Sequence, residues 1–293
     1  MFRYTSLAAL ALIDQGRLGL DDPVTKWLPY FTPPSPDGES SVITVRNLLN
    51  HTAGLAYGFS QPVDGPYRQA GASDGIDSSG LTLEENLRRL ATVPLLFRPD
   101  EQWRYSLATD VLGAVIVVVH GKPLPAAVHD LVTGPLGLWD TGFVVVDASR
   151  LSAAYRNGEG GAFRMADEQY LSWGTGRVHF SPGRVLDPTA FPSGGAGMVG
   201  TTPDFLRALE ELRRGGGVWF GRRLTLAQLN ADPVGVDAAR HGVKVREDGK
   251  MPSPHTFRHS KAMQMLKSGA SMAEVQSFLG HADILLYIIN RFA

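Results

Sequence analysis

Between Leu7 and Ile13 the chain is unbrokenly apolar, and polar residues stand only at the two ends of that stretch. The pattern predicts a core helix from Leu7 to Gln15, capped by Ser6 and closed by Gly16 in the left-handed conformation that favours glycine. Prolines and glycines crowd residues 29–38 and predict a surface loop. Val42-Ile-Thr-Val alternates and then turns helical toward His51, with Thr44 as the natural N-cap. Residues 60–80 are rich in Gly, Ser, Asp and Pro, too long for an ordinary connection and suited to a rim loop. Helices are predicted from Thr82 to Ala91, from a start near Ser106 to His120 with its stop at Gly121-Lys-Pro, and from Pro203 to Arg214. Phe143-Val-Val-Val-Asp and Arg177-Val-His-Phe read as strands.

Composition adds a few bounds. At 293 residues and 43% hydrophobic content the chain can bury one large core or two smaller ones. A net charge of −1 offers no global attraction to nucleic acid, so such binding would need a local patch. With no cysteine, disulfides, thiolate metal sites and a cysteine nucleophile are excluded. No metal or other cofactor is expected. The apolar stretch at the N-terminus is too short to span a bilayer and lacks a cleavage site, which argues for a core helix and no membrane partner; location is left open, cytoplasmic by default. From Arg240 onward the character changes: eight Lys or Arg face four Asp or Glu, and histidines cluster. The chain thus divides into residues 1–230 and residues 231–293.

Four strings occur in order in the first piece: Leu7-Ala-Ala-Leu-Ala-Leu-Ile-Asp-Gln-Gly, Leu48-Leu-Asn-His-Thr-Ala-Gly-Leu, Trp103-Arg-Tyr-Ser-Leu-Ala-Thr-Asp, and Gly134-Pro-Leu-Gly-Leu-Trp-Asp. Together they resemble the serine β-lactamase superfamily, nearest to class C β-lactamases and family VIII carboxylesterases. The resemblance implies an α+β fold, an antiparallel sheet beside a helical domain, with the sheet incomplete here. It also implies acyl transfer from a small ester or β-lactam to a serine in a Ser-x-x-Lys motif. No Ser-x-x-Lys occurs in the sequence; Ser6, at the corresponding helix, is followed three positions on by Ala9, and no Gly-x-Ser-x-Gly elbow is expected to substitute. The family's second motif matches Tyr105-Ser106, with Tyr105 as general base if a nearby cation lowers its pKa. Leu107 stands where lactamases often carry asparagine, which favours the esterase branch. The plainer reading of Tyr105 is an aromatic packed at a helix start with its hydroxyl satisfied locally. The third motif, Lys-Thr-Gly or a His/Trp-x-Gly variant, is expected on a central strand well beyond the glycine-rich turn Ser193-Gly-Gly-Ala-Gly, and is read as absent. Ser193 reads as a turn residue and His51 as a structural histidine.

The second piece carries His255-Thr-Phe-Arg258 and, later, Leu279-Gly-His281. These resemble the C-terminal boxes of tyrosine recombinases, in a small helical segment. The resemblance implies that His255 and Arg258 hold a phosphate, that His281 stabilises its developing charge, and that DNA is a weak partner. The family's nucleophile would fall at Asn290; Tyr287 is three residues out of register. A serine hydrolase body without its nucleophile, a DNA-binding module, and a rearranged reading frame without function are the three readings the sequence leaves.

Overall fold

A computed structural model describes residues 2–214 and 216–220. The chain divides into two compact units; the described residues of the first are 2–151 and 166–220 without 215, and those of the second are 152–165.

In the first unit, helices α1 (Phe2–Asp14), α2 (Val45–Asn50) and α4 (Leu83–Leu90) pack around α5 (Ala108–His120). The short α3 (Pro66–Gln69) lies in the rim loop, α6 (Leu124–Val128) follows α5, and α7 (Thr202–Arg213) comes last. Helix α5 is the axis of the core, because its first nine residues, Ala108 to Ile116, are all buried. Leu12, Leu48, Leu87 and Leu90 from its neighbours are fully buried too. Burial of such side chains is worth roughly 1.5–3 kcal/mol each, the main source of stability in this layer.

Several helix ends follow the sequence. Thr44 and Asn47 form a reciprocal capping box at α2, Thr82 caps α4, and Gly121 closes α5 at φ 80°. Gly16 is left-handed as expected, at φ 69°. Two expectations fail. Helix α1 begins by Phe2, so Ser6 lies inside it and caps nothing; Arg3-Tyr4-Thr5 contains no breaker, and the helix runs back through it. Phe143 to Asp147 forms no strand: only Gly142 makes a bridge, to Val199, and Val146 is 73% exposed. β-Branched residues without a paired edge have nothing to hold them extended.

The antiparallel hairpin β3 (Gln169–Trp173) and β4 (Gly176–Phe180) pairs Gln169 with Phe180 and Trp173 with Gly176. Gly176, Val178 and Phe180 are buried on one face while Arg177 and His179 lie outward, the alternation predicted for this strand. The described part of the second unit is the hairpin β1 (Tyr155–Gly158) and β2 (Gly161–Arg164), which the sequence reading missed; Arg156 lies over the Phe163 ring at 5.1 Å. Among the described residues no single helix is long and apolar enough to cross a membrane.

Candidate active site

The segment after α2 and the approach to α5 are laced by backbone. His51 leaves α2 in the left-handed region, at φ 60°, and its carbonyl accepts from Arg104 N at 2.9 Å. Leu107 N donates to Ala56 O at 3.1 Å. This lacing sets the His51 ring 5.0 Å from Tyr105 and brings His51 Nδ1 to 3.3 Å from Ser106 Oγ. Ser106 is buried, and its Oγ also accepts from Ala108 N at 3.4 Å, which ties it to the start of α5. Tyr105 is 37% exposed. The structure therefore brings Tyr105, Ser106 and His51 together.

Tyr57 lies behind Tyr105. The two rings are 5.0 Å apart, and the buried Tyr57 hydroxyl shares a hydrogen bond with that of Tyr105. Tyr57 stacks on Phe59 at 4.7 Å, and Phe59 meets the edge of Trp173 at 5.5 Å. A row of rings results, from Trp103 through His51, Tyr105, Tyr57 and Phe59 to Trp173.

Burial pushes Tyr105 above the usual tyrosine value; the Tyr57 hydrogen bond opposes that rise and Asp110 adds to it. The net displacement is opposite to the one a neighbouring cation would exert on a general base, so near neutral pH Tyr105 is a phenol and a hydrogen-bond donor. Tyr57 is raised well above the usual value, chiefly by burial.

Two carboxylates stand behind the rings. Asp74 accepts from Gly58 N at 2.5 Å, Phe59 N at 3.1 Å and Arg68 Nη2 at 3.0 Å, and so fixes the turn that carries Tyr57 and Phe59. Its burial raises it to about 6 against the pull of Arg68. Asp110, on α5, is fully buried, and neither carboxylate oxygen has a partner at hydrogen-bonding geometry. Burial raises it to about 7; the Ser193 hydroxyl and Arg184 work against that rise, and Asp74 adds to it.

Sequence reasoning missed Tyr57, Asp74 and Asp110, although an aspartate within the apolar run Val111-Leu-Gly-Ala-Val after Thr109 was a visible signal. It also passed over Gly71-Ala-Ser73-Asp-Gly75, a Gly-x-Ser-x-Gly string. In a nucleophile elbow the serine is exposed at a strand-to-helix turn with a histidine beside it. Here Ser73 is buried, donates to Asp77 Oδ1 and accepts from Gly75 N at 3.0 Å. The nearby His179 lies on the far side of that carboxylate, with Nδ1 3.6 Å from Asp77 Oδ2 and Nε2 2.5 Å from Glu168, so it faces no serine proton. Ser193 is a turn residue, its Oγ accepting from Ala196 N at 3.1 Å. Trp219-Phe-Gly221 has the letters of the third motif's tryptophan variant, but Trp219 is buried with Nε1 donating to Val132 O at 3.0 Å. Among the described residues no group of three His, Cys, Asp or Glu could hold a metal ion. His255, Arg258, His281 and Tyr287 lie outside the described residues.

The model of the beta-lactamase family matches residues 4–260. Esterase EstB of Burkholderia gladioli is 45% identical over 247 residues, 83% of this chain and 61% of EstB. The structure of EstCE1, described as a hydrolase with promiscuous acyltransferase activity, superposes with a TM-score of 0.70 at 48% identity, over 72% of this chain and 56% of EstCE1. Simvastatin synthase from Aspergillus terreus, at 20% identity and a TM-score of 0.52 over 74% of this chain and 53% of its own, shares the fold. The chain thus spans little more than half the length of these relatives.

Proposed function

Because the chain belongs to the beta-lactamase family, in which its relatives include a named esterase, we propose that the Tyr105 site takes a small acyl ester and, in this chain, does not turn it over. The proposal rests above all on the missing Ser-x-x-Lys, beside which Tyr105 is a phenol near neutral pH, shifted upward by its surroundings and not downward. A phenol in that state can hold a carbonyl oxygen by donation but withdraws no proton from a nucleophile. The sequence offers no Ser-x-x-Lys to supply the missing pair. Ester in preference to β-lactam is supported by Leu107 and by the esterase relative. Incubating the folded protein with a fluorophosphonate probe, followed by mass spectrometry of intact protein and peptides, is expected to give no stoichiometric adduct. An adduct on Ser106, beside His51, or on any other single serine would overturn the proposal.

A separate piece from residue 231 onward is also our proposal; the family match itself runs on to residue 260. The spacing of His255, Arg258 and His281 supports a phosphate-binding patch there. Retention of the protein on duplex DNA at low salt, reduced by Arg258→Ala, is the expected result. No retention at low salt would remove this reading.

A further inference from the structure

Asp110 is the one acid of α5 and is fully buried; the Ser193 hydroxyl and Gly195 N–H approach its carboxyl and oppose its rise, but neither meets it at good hydrogen-bond geometry. Such a group destabilises a fold, and it is placed where it acts on the tyrosine pair. Two glycines make room for it. A Cβ on Gly195 would stand 2.8 Å from Tyr57 Oη and 2.9 Å from Asp110 Oδ2, so the phenol and the carboxyl flank one point. A Cβ on Gly75 would collide with Ser193 Oγ and come within 3.5 Å of Asp110 Oδ1. The carboxyl is therefore packed between the turn at residues 193–197 and the rim loop, on the inner side of Tyr57.

We propose that Asp110 is a positioning residue that works as a charge gate behind Tyr57 and Tyr105: while it is neutral the tyrosine pair holds an anion of the carboxylate class, and when it ionises the anion is held less tightly. This rests on the ester reading, since a carboxylate is the acid half of an acyl ester. The mechanism is electrostatic. A file of donors, Tyr57 to Tyr105 to ligand, polarises cooperatively toward negative charge, and a neutral acid at its inner end leaves that polarisation unopposed. An ionised Asp110 sets a second negative charge in the same dry wall, where screening by solvent is weak.

The charged and titratable groups facing Asp110 come from each surrounding element: Tyr57 from its turn, Asp74 from the rim loop, Arg184 from the turn after β4, and Tyr105 ahead of α5. Arg184, whose Nη2 donates to Phe191 O at 2.8 Å, favours the ionised form, but burial of Asp110 outweighs it. The value of about 7 for Asp110 puts the gate in the physiological range. Asp74, at about 6, is engaged by two backbone N–H groups and Arg68 and serves the turn instead.

The test uses benzoate, an anion throughout the range from about pH 5.5 to 9, and the full chain, with binding read by calorimetry and by quenching of tryptophan fluorescence. Expected is an affinity that falls about tenfold as pH rises through the Asp110 transition, the size of one unit charge acting through protein at roughly 12 Å. Asp110→Asn should bind benzoate at the higher affinity with no such fall. Tyr57→Phe, which keeps the packing and removes the donor, should weaken binding at low pH and flatten the profile. An unchanged pH profile in Asp110→Asn, or no benzoate binding by the folded protein at low pH, would overturn the gate. A serine adduct in the fluorophosphonate experiment bears on the missing turnover alone and leaves this profile as a separate result.

Discussion

Replacing Asp110 by asparagine is expected to stabilise the protein at about pH 8 by on the order of a few kcal/mol, and to leave it nearly unchanged at about pH 4. The group titrates at about 7 in the fold against an ordinary 3.8. A folded-state value above the unfolded one means the fold binds the proton more tightly. The stability this lends is complete below about pH 4 and is lost as pH rises through the folded value of about 7. Every tenfold difference in proton affinity between the folded and unfolded chain corresponds to about 1.4 kcal/mol. Asparagine keeps the shape and cannot ionise, so it removes the alkaline penalty. Denaturant unfolding of both proteins at the two pH values is the measurement. Equal stability at about pH 8 would mean that Asp110 is not buried as a charge-sensitive group, and the gate would fall with it.

Gly54→Ala should have the opposite sign and a similar size, a loss on the order of 3–5 kcal/mol. Gly54 is left-handed at φ 79°, and a Cβ there would run into the Phe97 carbonyl oxygen and come within 3.1 Å of Leu95 Cβ. The left-handed backbone alone costs an alanine roughly 1 kcal/mol. The backbone collision is the larger part, because Leu96 N is bonded to Gly54 O at 2.8 Å and cannot move away cheaply. As Gly54 lies between His51 and Ala56, which carry the lacing to Arg104 and Leu107, the ring row should loosen along with the fold. Unfolding curves, with tryptophan emission following Trp103, would show both. A change under about 1 kcal/mol would contradict the close approach.

Helices were legible wherever a cap and an apolar face coincided, as at Thr44, Thr82 and Gly121. The start of α1 was not, because Ser6 has the chemistry of a cap and nothing before it in the chain says that the helix has already begun. Phe143 to Asp147 shows the reverse fault: three consecutive valines have strand propensity, but a strand exists only with a partner edge, and that is a fact of tertiary structure. In the site, Tyr105 and Ser106 were legible because a motif carries them. Tyr57, Asp74 and Asp110 were not, since each matters through a neighbour tens of residues away. The cation expected beside Tyr105 was an inference from motif alone, and burial with Asp110 nearby shifts that phenol the other way.

The hydrogen bond from Thr5 Oγ to Gly194 O, at 2.8 Å, joins residues 189 apart in the chain. Closing so long a loop is slow relative to forming helices, and its entropy must be met before the contact gives anything back. During synthesis α1, α2, α4 and α5 can assemble while the turn at residues 193–197 has yet to emerge. Asp110 is then exposed to water at its ordinary acidity. Only when that turn closes over α5 does the acid become dry, so its raised proton affinity is among the last features of the fold to form.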